Sequence, residues 1–171
     1  MNNKEVSLTE EEQAVLTEVN DATVLSPDFI QSLSTISKNE MAFRVMKPYV
    51  GDTIPDHVLQ TIVHETLDFD IPLVPIQSNI ASLELFHGPT MAFKDVGARF
   101  MSRCLGYFNR NDKTSKNTVL VATSGDTGGA VASGFLGVKG VEVVILYPSG
   151  KVSDIQERQL TTLGQNIKAL E

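Results

Sequence analysis

The sequence predicts an α/β fold, in which a three-layer domain with a parallel sheet follows a mainly helical N-terminal segment. Two observations support this prediction. Helix start signals recur through the front third of the 171 residues, and from residue 80 onward short β-branched runs alternate with segments of helical period. Strands that alternate with helices are typical of parallel sheets with right-handed crossovers. We therefore expect two parts, residues 1–79 and residues 80–171.

The N-terminal part begins with a polar, acidic run over residues 1–10 and is predicted to hold three helices. We interpret residues 1–30 as a divergent lead or a partly disordered tail. Serine caps and prolines in the first helical turn are the usual start signals. The three starts are Ser26-Pro27, Ser37 with Glu40 as a capping box, and Pro55. The second helix is expected to run toward Pro48.

The rest of the chain is predicted as alternating elements. Residues 71–76 contain two prolines and are expected to form an edge or a connecting segment. The elements that follow are a strand over 81–86, a helix near Lys94, a strand near Val119, a helix near Ala130, a strand over 141–146 and a helix from Ser153.

Lys94 is the first candidate for chemistry, because it lies at the predicted start of an amphipathic helix just after a His-Gly-Pro-Thr turn. Thr90 is the expected N-cap of this helix. Unpaired N–H groups and the helix dipole make the potential at a helix start positive, which disfavours an ammonium group there. A neutral amine is the form that attacks a carbonyl to form an imine. Taken by itself, however, such a lysine is more often a solvated surface residue.

A polar glycine loop is the second candidate, because residues 123–129 separate a short buried strand from a helix. Gly125 and Gly128 allow a sharp turn and a close approach of the backbone to a ligand. The first N–H groups of the helix would then favour a carboxylate or a phosphate. The loop matches neither a Walker A motif nor a dinucleotide fingerprint, and by itself it would also suit a tight strand-to-helix turn. Together, an imine-forming lysine and an anion-binding loop are the two halves of a pyridoxal 5'-phosphate site.

Three blocks carry a resemblance to a known family. They are LELFHGPTMAFKD at 83–95, ATSGDTG at 122–128, and VILYPSGKVS at 144–153 continuing to TLGQNI at 162–167. In this order and spacing they resemble the threonine synthase family, which belongs to the tryptophan synthase β-like, fold type II pyridoxal-phosphate enzymes. The resemblance is strong from about residue 70 to the end.

The resemblance implies a role for each matched residue. Lys94 would bind the cofactor covalently and act as the acid/base catalyst, and Asp126 would lie near the cofactor's 3′-oxygen. Lys151 would bind the substrate's phosphate, whereas His87 and Arg99 are expected in structural roles. The residues that would bind the substrate carboxylate are Ser124, Gly125, Asp126 and Thr127.

The implied reaction converts O-phospho-L-homoserine and water to L-threonine and phosphate. Family members also have a second glycine-rich loop that holds the cofactor's phosphate, and no such loop occurs in these residues. We therefore expect the chain to be an N-terminal piece of a longer enzyme, truncated within its α/β domain and inactive alone.

Composition excludes several classes of function. The balance of 14 basic against 21 acidic residues argues against a nucleic-acid surface. Cys104 is the only cysteine, so an intrachain disulfide is impossible, in agreement with a reducing cytoplasm. The sequence has no long apolar run for a membrane span, and its three histidines have no metal-ligand spacing. The expected assembly is a monomer or a homodimer.

Two other readings of the sequence remain open. One is a related enzyme of the same fold, either a threonine-synthase-like phospho-lyase or a serine/threonine dehydratase. The turn before Lys94 and the Tyr147-Pro148-x-Gly150-Lys151 block favour threonine synthase over the dehydratases. The other is a non-catalytic module that keeps the fold, in which Lys94 would show no selective reactivity.

Overall fold

The computed structural model describes residues 26–111 and 116–171. Residues 1–25 of the segment that we interpreted as a divergent lead or a disordered tail (1–30) lie outside the described residues. Contacts divide the chain into two compact units, and the boundary falls between Val63 and His64. Nowhere in the described ranges is a helix long and apolar enough to cross a membrane.

The three predicted N-terminal helices are confirmed as α1 (Pro27–Ser32), α2 (Lys38–Val50) and α3 (Asp56–Thr66). Ser26 and Ser37 are the caps of the first two, each accepting a backbone N–H three residues ahead. Helix α2 continues two residues beyond Pro48, although that proline lacks the N–H that would bond the carbonyl four residues earlier. It ends at Gly51, whose φ of 54° is the left-handed conformation that glycine favours.

The second unit opens with a hairpin of β1 (Leu73–Gln77) and β2 (Ile80–Leu83). The strands are antiparallel, and Leu73 pairs with Leu83. We predicted the second of these strands as a member of the alternating parallel pattern, and that prediction is wrong. The connection from Gln77 to Ile80 is too short for a parallel crossover, so the two strands form a sheet of their own.

A parallel three-stranded sheet forms the core of the second unit, in the order β3 (Asn117–Ala122), β4 (Val141–Leu146) and β5 (Ile167–Leu170). Two helices provide the crossovers, α5 (Asp126–Phe135) and α6 (Asp154–Thr161). Val119, Val143 and Ile167 are aligned across the strands and all face the core. The predicted α/β class with a parallel sheet is therefore confirmed.

The two faces of the parallel sheet differ in burial. Val143 and Ile145 are fully buried on the face that packs against the helices. On the opposite face Leu120 is 66% exposed and Leu146 is 41% exposed. The core of the described residues therefore lies on one side of the sheet.

Helix α4 (Lys94–Asn109) packs on α5, and the closest approach is at a glycine. A Cβ on Gly134 would lie 3.1 Å from both the carbonyl carbon and the oxygen of Ala98. Glycine therefore lets the two helix backbones approach to a distance that an alanine would prevent. Ala98 lies one turn after Lys94, and Gly134 lies two turns after Asp126, so this contact brings the two helix starts to the same region.

Gly134→Ala is expected to lower the free energy of unfolding by about 1–2 kcal/mol, because an added methyl would press on backbone atoms that cannot move separately. Gly97→Ala in α4 is the matched control, since a Cβ there meets nothing within 4 Å. That control should be neutral or stabilise by up to about 1 kcal/mol, from helix propensity. Urea titration measures the free energy of unfolding of both variants. Equal effects of the two substitutions would contradict the close contact of α4 and α5 at Gly134.

Cys104 gives a pH-dependent prediction. Burial raises the pKa of its thiol above the ordinary value of 9.0, so the unfolded chain ionises first as the pH rises. The thiol's contribution to stability is full below pH 9.0 and is lost as the pH rises through the higher pKa of the folded state. Between about pH 8 and about pH 10, the stability of Cys104→Ala should therefore fall less than that of the parent protein. Parallel falls in urea titrations would contradict this.

Candidate active site

Lys94 is the first residue of α4, as its position in the apolar pattern predicted. The helix begins after Phe93, which provides no side-chain cap. Our prediction of Thr90 as the N-cap is therefore wrong. Its hydroxyl instead donates to the carboxylate of Asp95 at 2.7 Å. A side chain of the helix therefore fixes the loop, whereas we had expected a side chain of the loop to cap the helix.

The turn before Lys94 is fixed by Asp95, which sequence reasoning did not single out. Asp95 is 1% exposed, and it accepts the Thr90 N–H at 2.9 Å in addition to the Thr90 hydroxyl. A Cβ on Gly88 would lie 2.5 Å from the Asp95 carboxylate, so glycine is required at that position. Met91 has a φ of 57°, a left-handed conformation that costs a non-glycine residue about 1 kcal/mol or more.

The glycine loop after β3 is fixed by Thr123. Its hydroxyl oxygen accepts the N–H groups of Gly125 and Gly128 at 3.2 and 3.1 Å, and the hydroxyl donates to the Gly125 carbonyl at 3.1 Å. The first residues of α5, Asp126 and Thr127, have N–H groups without an intrahelical acceptor. The loop therefore has donors available for an anion, as the sequence predicted from its glycines. The role of Thr123 was missed, because a threonine at the end of a strand is an ordinary residue.

Lys94 and Asp126 lie together, although 32 residues separate them in the sequence. The Nζ atom of Lys94 is 3.0 Å from Oδ2 of Asp126, and the two side chains are 31% and 46% exposed. The same Nζ lies 4.2 Å from the centroid of the Phe93 ring, which is a cation–π contact. The amine is thus accessible to a small molecule, and it must leave this carboxylate before it can attack a carbonyl group.

Ser124 lies at the carboxyl ends of the parallel strands, where α/β proteins bind ligands. It lines a cleft of about 480 Å³ together with Tyr147 and Leu170. Burial raises the pKa of the Tyr147 hydroxyl, and the charges of Glu157 and Glu171 raise it further. This cleft can accept a polar ligand, and Ser124 supplies a hydroxyl to it.

The remaining predicted binding residues, Lys151 and Thr127, are not part of the ion pair. Lys151 is exposed in the turn that precedes α6, where its N–H donates to the Pro148 carbonyl at 3.1 Å. Within the described residues, its side chain makes no hydrogen bond or ion pair with Lys94 or Asp126. The exposed Thr127 follows Asp126 directly. The structure therefore places Lys94, Asp126 and the glycine loop together, and among the described residues Lys151 forms no hydrogen bond or ion pair with them.

A second cleft of about 430 Å³ lies between the Thr90 turn and helices α5 and α6. Thr90, Ser133 and Arg158 are among its lining residues. Among residues 26–111 and 116–171, no three His, Cys, Asp or Glu side chains are grouped to hold a metal ion.

His87 and Arg99 have structural contacts, as expected. The His87 Nε2 lies 2.7 Å from a carboxylate oxygen of Glu84. Arg99 donates to the carbonyl groups of Glu65 and Thr66 at the end of α3, the latter at 3.1 Å. Burial lowers the pKa of the Arg99 guanidinium, and the charge of Arg103 adds to this.

The family model and the sequence relatives that match this chain are all described as threonine synthases. The family model described as the threonine synthase N terminus matches residues 20–67. The threonine synthase of Buchnera aphidicola subsp. Baizongia pistaciae is 49% identical over 125 residues, which are 72% of this chain and 29% of that protein. The threonine synthase of Escherichia coli is 46% identical over 127 residues, which are 74% of this chain and 29% of that protein.

Solved structures agree with the sequence relatives. The crystal structure of Escherichia coli threonine synthase matches with a TM-score of 0.78 and 41% identity, covering 85% of this chain and 33% of that one. The structure of PLP-bound threonine synthase from Brucella melitensis matches with a TM-score of 0.77 and 38% identity, covering 85% and 32%. The chain therefore spans about a third of the length of these relatives.

Gly128→Ala is expected to disrupt the loop, because the new Cβ would lie 2.3 Å from the Thr123 methyl carbon. We expect a loss of about 1–3 kcal/mol in the free energy of unfolding. Thr123→Ser removes that methyl and keeps the hydroxyl, so in its background Gly128→Ala should cost less than half as much. Urea titrations of the two single variants and the double variant measure the coupling, and additive losses would contradict the contact.

Proposed function

Because this chain belongs to the threonine synthase family, we propose that it carries the lysine end of a pyridoxal 5'-phosphate site that makes threonine. The proposed reaction converts O-phospho-L-homoserine and water to L-threonine and phosphate. The observation that carries the proposal is the contact of Lys94 Nζ with Asp126 Oδ2 at 3.0 Å, beside a glycine loop with free helix N–H groups. A reactive amine and an anion-binding loop are thus adjacent.

The residues present fit the cofactor in their chemistry. An aldehyde cofactor requires an accessible primary amine, and the Lys94 side chain is 31% exposed at a helix start. Asp126 supplies a carboxylate within reach of that amine, which suits a partner for a hydroxyl group of the cofactor. When bound, pyridoxal phosphate supplies an electron sink that stabilises negative charge on the substrate's reacting carbons.

The chain's own residues then have separate tasks. The Lys94 amine would take the proton from the substrate's α-carbon and return protons to neighbouring carbons, since it lies beside them once it is released. Ser124, Gly125, Asp126 and Thr127 would bind the substrate carboxylate through hydroxyl and N–H groups at the start of α5. Lys151, exposed in the turn before α6, would bind the substrate's phosphate.

The partner we propose is the small-molecule substrate O-phospho-L-homoserine, with the chain as a monomer or a homodimer. A cytoplasmic location is part of the proposal, and the free thiol of Cys104 is compatible with a reducing compartment.

Lysine labelling tests the proposal on this protein. The purified chain is incubated with pyridoxal phosphate, reduced with borohydride, and its labelled lysines are mapped by peptide mass spectrometry. We expect labelling of Lys94 at near one equivalent and only background labelling of Lys139, an exposed lysine in the turn before β4. Lys94→Ala should reduce total labelling to background, whereas Lys139→Ala should leave it unchanged. Scattered labelling across the lysines would contradict the proposal.

The substrate is tested in a hybrid in which this chain replaces the matched N-terminal part of Escherichia coli threonine synthase. The hybrid should release phosphate from O-phospho-L-homoserine and form threonine in equal amounts. Lys94→Ala should lower this rate by about 10²–10⁴-fold, the usual contribution of an acid/base catalyst. A hybrid with full activity after that substitution would refute the assigned role of Lys94.

A further inference from the structure

We infer that Asp95 is the positioning residue of this site, because its buried carboxylate fixes the turn from Gly88 to Thr90 and thereby the place of Lys94. The inference rests on the proposed function, since its object is the lysine that would hold the cofactor. Asp95 is adjacent to Lys94 in the sequence and is 1% exposed, so it cannot contact the cofactor or the substrate itself.

The contacts of Asp95 are those of a residue that holds a loop. Both of its carboxylate oxygens are used, one by the Thr90 hydroxyl at 2.7 Å and the other by the Thr90 N–H at 2.9 Å. A buried carboxylate is costly without such partners. It also lies in the first turn of α4, where the helix dipole favours a negative charge. Two directed bonds therefore connect the helix start to the turn.

The turn needs such a constraint, because its conformation is not one that its residues prefer. Met91 has a φ of 57° although it is not glycine. Its side chain is 72% exposed, so packing does not offset the energetic cost of that conformation. The N–H of Met91 donates to the Gly88 carbonyl at 3.1 Å, which closes the turn. Without the bonds to Asp95, other turn conformations would be populated.

A change in the turn would reach Lys94 directly. Three residues separate Thr90 from Lys94. Within the described residues, the hydrogen-bond and cation–π contacts of Nζ are limited to the Asp126 carboxylate and the Phe93 ring. If only a fraction of molecules has the correct turn, the apparent affinity for a ligand of Lys94 falls by that fraction. Asp95 would thus act on the site without touching any reacting atom.

Conservative variants of Thr90 test this inference. Thr90→Val removes the hydroxyl donor at nearly constant volume, and Thr90→Ser keeps it. We expect Thr90→Val and Asp95→Asn to weaken imine formation between pyridoxal phosphate and Lys94 by about tenfold, read from the imine absorbance. Thr90→Ser should remain within about twofold of the parent protein, because both donors to Asp95 are retained.

A second readout needs no cofactor. Reductive methylation with formaldehyde, mapped by mass spectrometry, compares the rate at Lys94 with the rate at Lys139. In Thr90→Val and Asp95→Asn this ratio should rise about threefold or more, because a loosened turn frees the amine from Asp126. The ratio should stay at the parent value in Thr90→Ser.

Two control variants separate positioning from stability. Val141→Ala removes core volume at the amino end of β4, so it should lower the unfolding midpoint and leave both lysine readouts unchanged. Asp154→Asn removes an exposed carboxylate from the first turn of α6 and should change neither of the two lysine readouts. If Val141→Ala changed the readouts as much as Thr90→Val did, the positioning role would be refuted.

The outcomes for the two proposals are distinguishable. If the parent protein labels selectively at Lys94 and Thr90→Val matches it in both readouts, Asp95 is not a positioning residue and the proposed function stands. If the parent protein shows no selective labelling, the proposed function fails, and the methylation ratio alone decides the role of Asp95. A methylation ratio that is unchanged in Asp95→Asn and Thr90→Val would overturn the positioning role of Asp95.

Discussion

The contact between α4 and α5 at Gly134 is the constraint on which the site depends. A Cβ at this position would lie 3.1 Å from backbone atoms of Ala98, so the two helices can be this close only if the residue is glycine. Helix α5 also packs on the parallel sheet and on α6. The helix that carries Lys94 is therefore located relative to the sheet through α5, and the Lys94–Asp126 pair at 3.0 Å depends on that arrangement.

Two loops complete the site, and each is held by hydrogen bonds to one side chain. Asp95 holds the turn before α4, and Thr123 holds the loop before α5. In each case a glycine leaves room for the holding residue, because a Cβ on Gly88 or Gly128 would lie 2.5 or 2.3 Å from it. The glycines near the site therefore serve packing against the protein itself, in addition to any close approach to a ligand.

Local signals in the sequence were sufficient for much of the fold. The serine caps of α1 and α2, the start of α6 after Ser153 and the start of α4 at Lys94 are confirmed, because each depends on residues within one helical turn. Thr90 was wrongly predicted as a cap, since the helix begins only at Lys94 and the Thr90 hydroxyl donates to Asp95 instead. The strand over 80–83 was wrongly assigned to the parallel sheet, because strand pairing is not encoded in periodicity.

The sequence by itself determined the alternation of strands and helices, the lysine at a helix start and the polar loop at the end of a strand. It predicted that strand to be buried, which is wrong, because one face of β3 is exposed. It also contained the three blocks that resemble the threonine synthases. Only the tertiary structure decided that Lys94 lies beside Asp126, that Lys151 forms no hydrogen bond or ion pair with either among the described residues, and that Asp95 and Thr123 hold the loops. The reason is that helix caps and periodicity act over a few residues. A contact across 32 residues depends instead on how closely two helix backbones can pack.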